Sequence, residues 1–178
     1  MPLDLVRRPA GADCAAILAE LPEWFGIPES NADYAAHAER EQAWVAEEGG
    51  QALGLMTLVD QGFSAIDIHL IAVRPQAHRR GVGRALVGKA VAAARQLGKR
   101  YLTVKTRGPS LPYEPYERTR AFYEAVGFEP LEELMEIWGP ENPCLIMILR
   151  VGAAAPHDKH ASGDDLEFDA APPPRGPP

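Results

Sequence analysis

The sequence predicts a mixed α/β fold of the α+β kind, in which about seven strands form one central sheet flanked by about four helices. Three observations point there. Short apolar or alternating runs recur between turn residues, several segments repeat apolar residues at helical spacing, and Ala65 to Thr106 reads strand, glycine turn, helix, strand. A chain of 178 residues is near the size of one domain and buries most of its apolar surface without disulfide staples.

The elements follow in order. Leu3 to Arg8 reads as a strand, and Ala12 to Leu21 as a helix with Ile17, Leu18 and Leu21 on one face. Pro22 to Pro28 breaks that helix, because prolines flank the Trp24–Phe25 pair. A second helix spans Asn31 to Glu41. Gln42 to Glu47 and Ala52 to Val59 form a hairpin around Glu48-Gly49-Gly50, and Asp60-Gln61-Gly62 turns the chain into the strand Ala65 to Val73. Val82, Leu86, Ala90, Ala93 and Leu97 recur at helical spacing, with Gly98 as the stop. Leu102 to Thr106 is the next strand. A helix then begins at Pro115 and ends at Gly127. Phe122 and Val126, one turn apart, are expected to face the core and to turn Tyr123 away from it. Leu131 to Trp138 and Cys144 to Val151 close the sheet as a pair of strands.

The turn from His78 to Arg84 carries the strongest chemical signal. Gly81 and Gly83 let the backbone approach a ligand, and the first amides of a helix have no partner inside it. Those amides and the positive helix end favour an anion, and Arg79, Arg80 and Arg84 add full charges. A nucleotide-hydrolysing loop needs Gly, four residues, then Gly-Lys-Ser/Thr, and a dinucleotide turn needs Gly-x-Gly-x-x-Gly; neither is present. The spacing instead suits a diphosphate held in another way.

On these residues the chain resembles the GNAT superfamily of N-acetyltransferases, whose signature between the fourth strand and third helix is Gln/Arg-x-x-Gly-x-Gly/Ala. His78-Arg-Arg-Gly-Val-Gly83 matches it, with His78 in place of Gln or Arg. Thr119 to Phe128 resembles the late helix of that family, ending in Tyr-x-x-x-Gly-Phe, and the likeness spans residues 3 to 151. It implies a mostly antiparallel sheet splayed at strands 4 and 5. It also implies acetyl-CoA as co-substrate, no metal, and direct attack by a primary amine in a ternary complex.

The same resemblance assigns residues. The main chain of Ile71, Ala72 and Val73 would pair with the pantetheine arm, and His78, Arg79, Arg80, Gly81, Val82, Gly83 and Arg84 would hold the diphosphate. Tyr123 would hydrogen-bond the coenzyme sulfur. An amine of pKa about 10.4 must lose a proton before it attacks, and Asp67 and His69, on one face of the strand, are the candidate bases. Trp24, Phe25 and Tyr113, from the two irregular loops, are candidate walls of the acceptor pocket. Tyr116, which stands where the family frequently has a pantetheine-contacting asparagine, joins them. A non-catalytic acyl-CoA sensor is the alternative function, and a homodimer is compatible with the resemblance.

Composition excludes other classes. A net charge of −7 argues against nucleic acid as the main partner. Residues 152 to 178 hold five acids and two bases, which leaves −3 there and −4 on the rest. That tail is rich in Ala, Pro and Asp and is expected to be mobile, with Leu166 and Phe168 as its plausible anchors. Cys14 and Cys144 lack neighbours at ligand spacing and are expected to be buried, reduced thiols. No stretch reads as a signal peptide or a membrane span, so a soluble, cytoplasmic protein is expected.

Overall fold

The strands are β1 (Asp4–Arg8), β2 (Ala43–Glu48), β3 (Gln51–Asp60), β4 (Ala65–Val73), β5 (Tyr101–Arg107), β6 (Glu129–Leu134) and β7 (Cys144–Arg150). The helices are α1 (Gly11–Ala19), α2 (Pro28–Arg40), α3 (Val82–Gln96) and α4 (Glu114–Ala125). This is a computed structural model, and it describes residues 2–152. The expectation for the tail, with Leu166 and Phe168, lies outside the described residues. Among those residues, no helix is long and apolar enough to cross a membrane.

One sheet runs β1-β2-β3-β4-β5-β7-β6, and every neighbouring pair is antiparallel except β4 and β5. Helix α3 covers one face, over Ile66, Ile68, Met56, Leu102 and Val104. Helices α1 and α2 cover the other, over Val45, Leu55, Leu70 and Ala72. The stripe expected in the long helix is there: Val82, Leu86, Ala90 and Ala93 are buried, and Gly98 follows at φ 67 as the helix stops. Gly49 and Gly50 both take positive φ, the conformation a two-residue hairpin of matching twist requires.

Two boundaries and the inward face of one helix differ notably from the sequence reading. Helix α2 begins at Pro28 rather than Asn31, because a proline at the first helical position loses no internal hydrogen bond and its fixed φ is already helical. Strand β6 covers Glu129–Leu134, not Leu131 to Trp138; Met135 to Trp138 leave the sheet as a bend and turn. In α4 the inward stripe is Tyr116 and Tyr123, two turns apart, whereas Phe122 and Val126 are half-buried. Tyr123 therefore points into the core that was expected to lie behind Phe122.

The feature that positions the site is an irregularity in β4. Thr57 pairs with Leu70 and Leu58 with Ile68, so His69 is an extra residue in that strand. The parallel pairing of β4 with β5 runs from Ala65–Tyr101 to Ile68–Val104 and stops there. Beyond it β4 stays with β3 as far as Val73, while β5 stays with β7 as far as Arg107. The two central strands part at His69, and the sheet opens into a cleft.

Gly54 lies opposite Val73, at the far end of the splayed half of β4. A Cβ there would sit 2.8 Å from the Ala72 carbonyl oxygen and 3.2 Å from Val73 Cα. Backbone cannot yield as a side chain can. Gly54→Ala is therefore expected to cost about 1–3 kcal/mol of stability, the usual range for overpacking, read as a lower denaturant midpoint at unchanged m-value. Wild-type stability in that variant would show that the strands can separate freely at this point.

Candidate active site in the splayed sheet

The turn after β4 is built around its main chain. A single 3-10 turn, Pro75–Ala77, carries the chain off the strand; Arg79 then takes φ 59 and Gly81, the residue before α3, takes φ 82. Backbone hydrogen bonds run up to His78 N and resume with Ala85 N donating to Gly81 O. Between them the amides of Arg79 to Arg84 donate to no backbone acceptor among the described residues. This row of donors at a helix N-terminus fits a diphosphate. Gly83 has a different reason: a Cβ would lie 3.0 Å from Cζ of Phe122, so the glycine lets α4 approach the turn.

The side chains of the turn are partly engaged. Arg80 pairs with Glu48 at 2.8 Å, and Arg84 reaches the Ala125 carbonyl at 3.4 Å. His78 Nε2 lies 2.8 Å from the Val73 carbonyl, the geometry of a ring N–H donating to it. His78 thus ties the turn to the end of β4, a packing role that accounts for an imidazole here. Along the open edge of β4, where alternate main-chain groups of an antiparallel strand face away from its partner, the Val73 carbonyl is already taken. Ile71 and Ala72 remain paired to Met56 and Leu55 on the other side.

A cavity of about 90 Å³ sits where β4 and β5 part. Asp67, His69 and Ile71 line it from β4, Lys105 and Thr106 from β5, and Tyr116 and Tyr123 from α4. Tyr123 is 5% exposed and packs against Phe122 and Phe128. Burial, then the negative charge of Asp67, pushes its hydroxyl far above the ordinary tyrosine value. It keeps its proton at any working pH.

Asp67 and His69 share a face, as the strand alternation requires, but their surroundings differ. Asp67 is 4% exposed; Thr103 Oγ1 donates to its Oδ1 at 2.8 Å and Lys105 Nζ lies 3.1 Å from the same oxygen. His69 packs against the rings of Tyr34 at 5.4 Å and His37 at 4.5 Å. Burial first, then His37 and Lys105, lowers its pKa to about 3. The imidazole stays neutral and is a weak proton acceptor, which counts against His69 as the base.

The loop between α1 and α2 lines the cavity from another side. Trp24 Nε1 donates to Thr119 Oγ1 at 3.0 Å, and Tyr116 donates from its hydroxyl to the Trp24 carbonyl at 3.1 Å. Phe25 packs edge-on against Tyr34, with centroids 6.0 Å apart. Trp24, Phe25 and Tyr116 all line the cavity. Tyr113 does not: it lies at the surface, with the Arg107 guanidinium 5.2 Å from its ring. Among the described residues no group of His, Cys, Asp or Glu is placed to hold a metal ion.

Lys105, Thr103, Tyr34, His37 and Trp138 went unnoticed in the sequence. Thr103 and Lys105 had a weak signal, being two residues apart on a strand next to the one bearing Asp67. Trp138 had none, because it reaches the cavity from the turn before β7.

Residues 39–130 match the Acetyltransferase (GNAT) domain family. The peptidyl-lysine N-acetyltransferase YiaC of Escherichia coli (strain K12) is 34% identical over 96 residues, which are 52% of this chain and 53% of that protein. The chain thus spans about half the length of that curated relative. Among solved structures, a GNAT-family protein from Desulfovibrio desulfuricans aligns with a TM-score of 0.72 at 24% identity, over 85% of this chain and 100% of that one. An aminoglycoside 6'-N-acetyltransferase complexed with coenzyme A aligns with a TM-score of 0.66 at 16% identity, over 85% and 97%. These two likenesses establish the fold, and with the family match over more than half of its length the chain belongs to the GNAT acetyltransferase family.

Proposed function

We propose that the protein transfers an acetyl group from acetyl-CoA to a primary amine by direct attack in a ternary complex. The observation that carries this reading is the row of unpartnered amides from Arg79 to Arg84, joined through β4 to the cleft that ends at Tyr123. Acetyl-CoA would supply the activated acyl carbon and a leaving thiol. The amides and Arg79, Arg80 and Arg84 hold its diphosphate, and the open edge at Ile71 and Ala72 receives the peptide-like arm.

The chain's own groups set the proton traffic. Tyr123 holds its proton more tightly than a thiol of pKa about 8.5 does. Its part is therefore to donate a hydrogen bond to the developing thiolate rather than to surrender the proton outright. As the nitrogen–carbon bond forms and the carbon–sulfur bond breaks, the ammonium loses two protons: one ends on the thiol and one in solvent. With His69 held neutral at about 3, Asp67 is the charged group on the β4 wall that can steady the ammonium and pass its proton on.

Replacing Tyr123 with Phe removes one preorganised donor from the leaving group, and kcat for thiol release is expected to fall on the order of 10²-fold. Coenzyme A affinity, measured by calorimetry, should stay near wild type. Undiminished thiol release would remove Tyr123 from the chemistry, and no uptake of coenzyme A by the wild type would overturn the reading.

The depressed imidazole fixes a pH profile as well. Below the pKa of the acceptor amine, its free-base fraction grows about tenfold per pH unit. Thus kcat/KM should rise from about pH 6 to 8 without a bend near the ordinary histidine value of about 6.5. A bend there that disappears in His69→Gln would make His69 the base after all.

A further inference from the structure

The charge on the cavity wall restricts the acceptor, provided that the acetyl-transfer reading above holds. Three titratable side chains from β4 and β5 line the cavity: Asp67, Lys105 and His69. His69 is neutral, so the wall carries one carboxylate and one ammonium, 3.1 Å apart, on side chains 6% and 22% exposed. An acceptor that brings a single ammonium to Asp67 leaves Lys105 without its anion in a partly desolvated place. A polyamine adds further charges that meet no carboxylate. A molecule with one ammonium and one carboxylate exchanges partners instead: its amine takes Asp67, its carboxylate takes Lys105, and every buried charge keeps an opposite neighbour.

Residues from other elements that line the cavity bring unpaired polar atoms as well. Trp138 Nε1, a donor, and Asn31 Oδ1, an acceptor, are both buried without a hydrogen-bond partner, and so is the Thr106 hydroxyl. Buried polar atoms in native proteins are rarely left unpaired. The donor suits a carboxylate oxygen, and the amide oxygen suits an amine. Size sets the scale inside the cleft, where the space measures about 90 Å³ and opens to solvent. We infer that the acceptor is a small free amino acid, its carboxylate received by Lys105 and its amine presented beside Asp67 to the acyl carbon.

The test compares alanine, alaninamide and ethylamine as acceptors, with kanamycin and a lysine-bearing peptide as outside arms, by following thiol release from acetyl-CoA. Alanine is expected to exceed alaninamide and ethylamine in kcat/KM by about thirtyfold or more, the lower end of what losing one partner of a buried ion pair costs. That preference should collapse in Lys105→Met. The wild-type comparison stands by itself if the variant does not fold. Equal use of alaninamide or ethylamine, or better use of kanamycin or the peptide, would overturn this inference and leave acetyl transfer intact. Coenzyme A binding without thiol release from any acceptor would overturn both.

Discussion

One additional residue in β4 determines the rest of the structure. A central strand in a regular sheet has both edges bonded and no room for a ligand. With His69 inserted opposite the Thr57–Leu58 step, β4 keeps its pairing to β3 but loses β5 beyond Ile68. The insertion also reverses the alternation. Ile66 and Ile68 face α3, but Leu70 and Ala72 face α1 and α2, so Ile71 and Val73 are the residues that remain on the α3 side. The core stays filled on both faces while the strand edge between them opens.

The glycine turn before α3 is the direct continuation of that strand, and its geometry depends on where the strand ends. Arg74 N donates to Leu53 O, and the His78 ring donates to Val73 O. Between these two anchors the chain makes its 3-10 turn, and after them Arg79 and Gly81 take positive φ in quick succession. A residue with a side chain at 81 would meet no atom within 4 Å, so the glycine is required by its φ and not by crowding. Gly83 is the reverse case, with ordinary backbone and Phe122 directly above it.

What the sequence made legible was local. Strand alternation, the helical stripe of α3, the paired glycines of the hairpin and the glycine turn that opens α3 are each encoded within a few residues, and each is present in the fold. The bulge was illegible because Leu70, Ile71, Ala72 and Val73 are all apolar, and a strand buried on both faces gives no alternation by which a shift of phase could be seen. Tyr123 was assigned to the wrong side of α4 because Phe122 and Val126 form one plausible stripe and Tyr116 and Tyr123 another. The packing chose the second. Lys105 from β5, Tyr34 and His37 from α2 and Trp138 from the turn before β7 come together only once the sheet has splayed.

Within the cleft, burial acts in one direction on every titratable ring. It raises the hydroxyls of Tyr34, Tyr116 and Tyr123 and lowers the imidazoles of His37 and His69, so that each is held in its neutral form. Among the described residues, the charged side chains that line the cavity at the junction of β4 and β5 are those that meet each other, Asp67 and Lys105. Around that pair the rings form an uncharged, partly desolvated lining, in which an ion is stable only beside a group of opposite charge. Burial also leaves Tyr123 protonated, a hydroxyl donor rather than a phenolate on the cavity wall. The same burial that keeps the His69 imidazole neutral leaves the Asp67–Lys105 pair as a charged contact on an otherwise neutral lining among the described residues.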